Sequence, residues 1–76
     1  MTDAILAILA RILRDKGANP PPLDETTVFL GGAIPFDSLD LATLLVEMER
    51  ATGRDPFKEG FRMFQTVGEL AQLYAA

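Results

Sequence analysis

Three consecutive prolines, Pro20 to Pro22, constrain the fold of this chain more than any other feature. Proline has a fixed φ and no backbone N–H, so no helix can run through this segment. Before it, apolar residues recur at helical spacing at Ile5, Leu6, Leu9, Ile12 and Leu13. With Thr2 as N-cap and Gly17 just past the end, the pattern predicts a first helix over about residues 3–16.

The segment after this helix, residues 18–37, has no sustained periodicity. A loop this long in a small domain is more often functional than idle. A simpler interpretation is that it spans the length of a helical bundle, and both interpretations can hold together. We expect Val28 and Phe29 to pin it to the core, and residues 26–30 to form one helical turn.

A second helix is the clearest element of the sequence. Its apolar stripe consists of Leu41, Leu44, Leu45 and Met48, at spacings of three and four residues. Asp37 is the predicted N-cap, Asp40 lies where an acid favours the free amides of the first turn, and Gly53 follows the end. Ser38 would then open the helix on the side away from the stripe.

The last third of the chain predicts two further helical elements. Phe57, Phe61 and Phe64 indicate a short, irregular helix interrupted by Gly60. Thr66 and Glu69 form a capping-box pattern that opens a last helix with one apolar face, made of Val67, Leu70, Ala71 and Tyr74. We therefore expect a single all-α domain over residues 1–76, a small four-helix bundle with three main helices, one short helix and a long first loop.

The composition argues against several kinds of function. The 76 residues include neither cysteine nor histidine, so thiolate metal sites and the commonest general base are absent. Seven basic and eleven acidic residues give a net charge of −4, which disfavours nucleic acid and favours basic protein partners. No apolar run approaches the roughly 18 residues of a membrane span, and no basic segment precedes the first apolar stretch as in a secretory signal. We expect a cytoplasmic monomer that binds no membrane and is not an enzyme.

Ser38 is the candidate functional residue that remains. From its position alone, a serine at this point is by default an ordinary helix-start residue. The same place suits a phosphodiester, because a helix N-terminus offers unpaired amides and a partial positive charge to an anion. An exposed hydroxyl there would also be accessible to another protein.

The residues around Ser38 resemble a known motif. This part of the chain is similar to the Asp-Ser-Leu motif and second helix of the acyl carrier protein family. The residues that carry the similarity are the run Phe36-Asp37-Ser38-Leu39-Asp40-Leu41, followed by Leu44, Leu45, Glu47 and Glu49. A first amphipathic helix, a long loop holding Phe29 and a last helix opened by Thr66-Val67 also follow the family's order. The resemblance thus covers nearly the whole chain and implies the four-helix carrier fold.

The resemblance also implies a cofactor. A phosphopantetheinyl transferase would attach 4′-phosphopantetheine from coenzyme A to Ser38, with Asp37 and Leu39 flanking the attachment point. The thiol of the arm would hold an acyl or aminoacyl group as a thioester. An acyl- or aminoacyl-activating ligase and an acyltransferase or synthase are the implied partners, in fatty acid or secondary metabolite biosynthesis.

Members of the family dock to their partners through the second helix. The matching positions here are the apolar Leu39, Ala42 and Val46 and the acidic Asp37, Asp40, Glu47 and Glu49, with no basic residue between these acids. Thr43 and Arg50 stand where fatty-acid carriers commonly have acids. The apolar residues before Asp37 and the run Arg54-Asp55-Pro56-Phe57 are more similar to discrete carriers that work with adenylate-forming ligases, the D-alanyl carriers among them.

A second hypothesis requires no modification. The chain could be a helical interaction domain that grips a partner helix through Leu39, Ala42 and Val46. A small hydrolase, the third possibility, lacks the histidine that a serine nucleophile ordinarily needs.

Overall fold

The computed structural model describes residues 1–32, 34–58, 60 and 62–75. Within them the chain forms three α-helices and no β-strand: α1 (Thr2–Asp15), α2 (Ser38–Thr52) and α3 (Val67–Ala75). The predicted all-helical class is confirmed. The radius of gyration of 11.6 Å is close to the ~11 Å of a compact chain of this length.

The end of α1 confirms the prediction that the helix stops before the prolines. Gly17 has a φ of +82°, a conformation that favours glycine. The N–H of Gly17 donates to the Arg14 carbonyl at 2.9 Å, and that of Ala18 donates to the Leu13 carbonyl at 3.0 Å. This is a Schellman motif, which satisfies carbonyls that a helix end would otherwise leave unpaired.

The start of α1 differs from the prediction. Met1, and not Thr2, is the N-cap residue, and no side chain caps this end. The reason is that the Ile5 N–H already bonds to the Met1 carbonyl at 3.2 Å, which places Thr2 inside the helix. The predicted Thr2 cap is therefore wrong.

The central element of the fold is α1, which packs against both α2 and α3. Its buried residues are Ile5, Leu9, Ile12 and Leu13. The predicted apolar face of α3 is entirely buried, whereas only Leu44 and Met48 of the α2 stripe are fully enclosed and Leu41 and Leu45 are partly exposed. The face of α2 that was predicted to point inward therefore does so.

The long loop is tied to the start of α3 by backbone pairing between residues 27–29 and 65–67, here called the clasp. It consists of an isolated antiparallel bridge between Val28 and Thr66, a bond from the Phe29 N–H to the Gln65 carbonyl at 2.9 Å, and one from the Val67 N–H to the Thr27 carbonyl at 3.0 Å. The helical turn predicted for residues 26–30 is wrong, because this backbone pairs with a distant segment. Phe29 is buried as predicted, whereas Val28 is exposed, so the prediction that Val28 also pins the loop to the core is wrong.

Aromatic rings fill the space between the loop and the segment before α3. Phe29 lies 5.8 Å from Phe36 and 5.7 Å from Phe64 between ring centroids, and Phe57 lies 5.8 Å from Phe64. Residues 56–58, where a short irregular helix was predicted, form a turn. Phe61, which was part of that prediction, lies outside the described residues.

Candidate functional site

The turn before Ser38 is held by a complete capping box. Asp37 has extended backbone angles (φ −113°, ψ −178°), and its Oδ1 accepts a hydrogen bond from the Asp40 N–H at 2.9 Å. In return, the Asp37 N–H donates to Asp40 Oδ2 at 3.2 Å. The predicted roles of both acids at the start of α2 are confirmed. Their reciprocal bonds fix the backbone on both sides of Ser38.

Ser38 is the first residue of α2 and is exposed to solvent. Because the first four N–H groups of a helix have no partner within it, the amides of Ser38 and Leu39 face outward from the helix end. Both amides and the positive end of the helix dipole favour a phosphate group at this place. The donor groups of the first turn therefore fit a phosphodiester on the Ser38 hydroxyl.

A lysine from another helix also reaches this turn. Lys16, at the end of α1, donates through Nζ to the Pro35 carbonyl at 2.6 Å and to Asp40 Oδ2. The hydrogen bond from Lys16 is the main reason that the pKa of Asp40 lies below its ordinary value, and the backbone bond from Asp37 acts in the same direction. Sequence reasoning missed Lys16, because no local pattern relates residues 24 positions apart.

The outward face of α2 carries the three apolar residues predicted for docking. Leu39 is 76% exposed and Val46 is 50% exposed, and Ala42 is exposed between them. Spacings of three, four and seven residues put them on one side of the helix. Their exposure agrees with the prediction, and their use in docking stays a prediction.

The acidic residues of α2 are less available than the sequence indicated. Asp40 is paired with Lys16, and Glu47 forms an ion pair with Arg11 at 3.2 Å. Asp37 and Glu49 are exposed. The sequence has no basic residue between these acids, as expected. In the folded chain, however, α1 and its C-cap place two cations, Arg11 and Lys16, against two of them.

An apolar groove of about 310 Å³ lies beside the start of α2. Leu41, one helical turn after Ser38, lines one part of it. The remaining lining comes from the loop and from the segment before α3, with Val28, Phe29, Leu30, Met63, Phe64 and one polar residue, Gln65. Met63 is 81% exposed, so the groove is open on that side.

The chain matches no protein-family model, no curated protein and no solved structure. Among the residues that the structure describes, no three His, Cys, Asp or Glu side chains are grouped so that they could hold a metal ion. No helix in the same ranges is both long and apolar enough to span a membrane. What the site can do is therefore inferred from Ser38 and its surroundings.

Proposed function

We propose that this chain is an acyl or aminoacyl carrier protein whose Ser38 bears 4′-phosphopantetheine. The observation that supports it most is an exposed Ser38 at the first position of α2, between the two acids of a complete capping box. The residues around it are those that resemble the Asp-Ser-Leu motif. The proposal includes the four-helix carrier fold, in which the segment between α2 and α3, a turn at residues 56–58 in this structure, would correspond to the short helix.

The modification needs little from the chain itself. Ser38 Oγ forms a bond to the phosphorus that carries pantetheine, the pyrophosphate bond of coenzyme A breaks, and adenosine 3′,5′-bisphosphate leaves with the electron pair. The hydroxyl proton passes to a base of the transferase, which suits a chain without histidine. Asp37 holds the turn, and the exposed Leu39 offers an apolar contact next to the reacting hydroxyl.

The arm, once attached, supplies the thiol that a chain without cysteine lacks and holds the cargo as a thioester. The chain presents this cargo and catalyses nothing itself. Partner enzymes, a ligase that activates the acyl or aminoacyl group and a synthase or acyltransferase that uses it, would dock on α2. The exposed apolar residues Leu39, Ala42 and Val46 would form the centre of that contact, with Glu49 at its edge.

Intact-mass measurement tests the modification. Co-expression with a broad-specificity phosphopantetheinyl transferase should add the mass of one arm to the wild-type chain. Ser38→Ala should stay unmodified, and Ser38 is the only serine in the sequence. Thr43→Ala is the matched control, because Thr43 is another exposed hydroxyl of α2 and its loss should leave the modification intact. An unmodified wild type, or an arm that persists in Ser38→Ala, would refute the proposal.

The second candidate, an unmodified interaction domain, is favoured by the exposure of Leu39 and Val46, because large apolar residues on one helix face commonly mark protein contacts. The two functions differ in what Ser38 does. Partner capture that survives Ser38→Ala but falls with Leu39→Ala would support the interaction domain. Capture that needs the arm on Ser38 would support the carrier.

A further inference from the structure

Lys16 contacts the chain on both sides of Ser38. It is the C-cap residue of α1, and its Nζ donates to the carbonyl of Pro35, three residues before the serine. The same Nζ donates to Asp40 Oδ2, two residues after it. One ammonium group thus joins the end of α1 to the two flanks of the turn that presents Ser38.

The bond to Asp40 continues into the capping box. Asp40 Oδ2, which accepts from Lys16, also accepts from the Asp37 N–H at 3.2 Å. The Lys16 and Asp40 side chains are 34% and 18% exposed, so the pair lies at the surface and what it fixes is the geometry of the turn. The lowered pKa of Asp40 is consistent with a carboxylate that stays charged in this network.

We propose that Lys16 is a positioning residue for the modification of Ser38. By holding Pro35 and Asp40 at once, it keeps the turn in one conformation and the Ser38 hydroxyl in one place. Lys16 touches none of the reacting atoms and acts only through the backbone and the cap. The inference rests on the proposed function of Ser38.

A positioning role predicts a specific kinetic effect. A misplaced nucleophile lowers the rate of the chemical step, whereas the apolar docking residues on the outer face of α2 are untouched by Lys16. The loss should therefore appear in kcat of the transferase reaction and not in KM. Ion pairs near the surface contribute little to stability, so the fold should persist without this one.

The test compares three variants as substrates of the transferase with coenzyme A. Lys16→Met removes the ammonium, Lys16→Arg keeps a cation with several donors, and Arg14→Met removes an exposed cation from the same turn of α1. We expect kcat to fall about tenfold in Lys16→Met with KM changed less than about twofold, and Lys16→Arg to recover most of the rate. Arg14→Met should react like the wild type. All rates are taken at a temperature where circular dichroism shows every variant folded.

A second readout does not depend on the transferase. Hydrogen exchange of the Asp37 and Asp40 amides, measured by NMR, should be faster in Lys16→Met and return toward the wild-type rate in Lys16→Arg. Exchange that is unchanged in Lys16→Met would refute the positioning role.

The possible outcomes separate this inference from the proposed function. A wild-type chain that the transferase never modifies refutes the carrier function and the role of Lys16 with it. A wild type that is modified, together with a Lys16→Met variant that reacts equally fast or faster, refutes only the role of Lys16. A loss confined to KM also refutes it, because that result would make Lys16 a docking contact.

Discussion

Truncating Leu44 and Leu39 separately tests which face of α2 is buried. The two leucines lie in one helix and would undergo the same change to alanine, yet Leu44 is 0% exposed and Leu39 is 76% exposed. Leucine and alanine differ little in intrinsic helix preference, so this contribution is small at both sites. Any difference in their stability therefore comes from the surroundings of the side chain.

The expected magnitudes are far apart. A fully buried leucine loses about 2–5 kcal/mol when cut to alanine, because apolar contacts vanish and a cavity remains. A domain of 76 residues has a free energy of unfolding of about 4–11 kcal/mol, so Leu44→Ala removes a large share of it. A loss of about 3 kcal/mol would lower Tm by about 12–24 °C. Leu39→Ala should stay within about 0.5 kcal/mol of the wild type.

Thermal and urea unfolding followed by circular dichroism at neutral pH would measure both variants against the wild type. The reasoning is refuted if Leu44→Ala melts with the wild-type midpoint, or if Leu39→Ala loses as much stability as Leu44→Ala. Either result would mean that another face of α2 is buried. Ser38 would then not be placed on an exposed edge of the helix.

Two further predictions concern the helix starts. The hydrogen bond from Lys16 lowers the pKa of Asp40, so this carboxylate stabilises the fold above its ordinary pKa of about 4 and loses that contribution as the pH falls through the lowered value. The wild type should therefore be more stable than Asp40→Asn in urea unfolding at neutral pH, and this difference should shrink in acid. A difference that grows in acid would contradict the prediction. Thr66→Ala should cost about 1 kcal/mol in the same assay, because Thr66 Oγ1 accepts from the Glu69 N–H at 3.2 Å, and an unchanged midpoint would show that this cap contributes nothing.

The helix ends of this chain were largely predictable because their signals are local. The cap of α2 joins residues three apart, and so does the box that opens α3 between Thr66 and Glu69. Gly53 closes α2 in the left-handed conformation, with a φ of +70°, as its position indicated. The start of α1 was predicted wrongly because the first helical hydrogen bond is accepted by the Met1 carbonyl. N-cap preferences favour Thr2, but they do not prevent Met1 from taking the N-cap position.

Contacts between elements were not predictable, and they change the candidate site. Neither Lys16 nor Arg11 carries a signal that it will face an acid of α2, since each is an ordinary polar residue of an amphipathic helix. The partners Asp40 and Glu47 look like free acids when read along the chain. Only the packing of α1 against α2 shows that both are engaged.

The clasp has a consequence for the order of folding. By joining Phe29 to Gln65, it closes a loop of about 37 residues that contains all of α2, and such closure costs about 3 kcal/mol of chain entropy. Helices form from neighbouring residues, whereas this pairing must wait until distant segments meet. We therefore expect α1 and the isolated helices to form early and the clasp late. The capping box around Ser38 joins residues only three apart and does not need the clasp, whereas the groove beside Leu41, which Phe29 and Phe64 also line, is complete only once the clasp has closed.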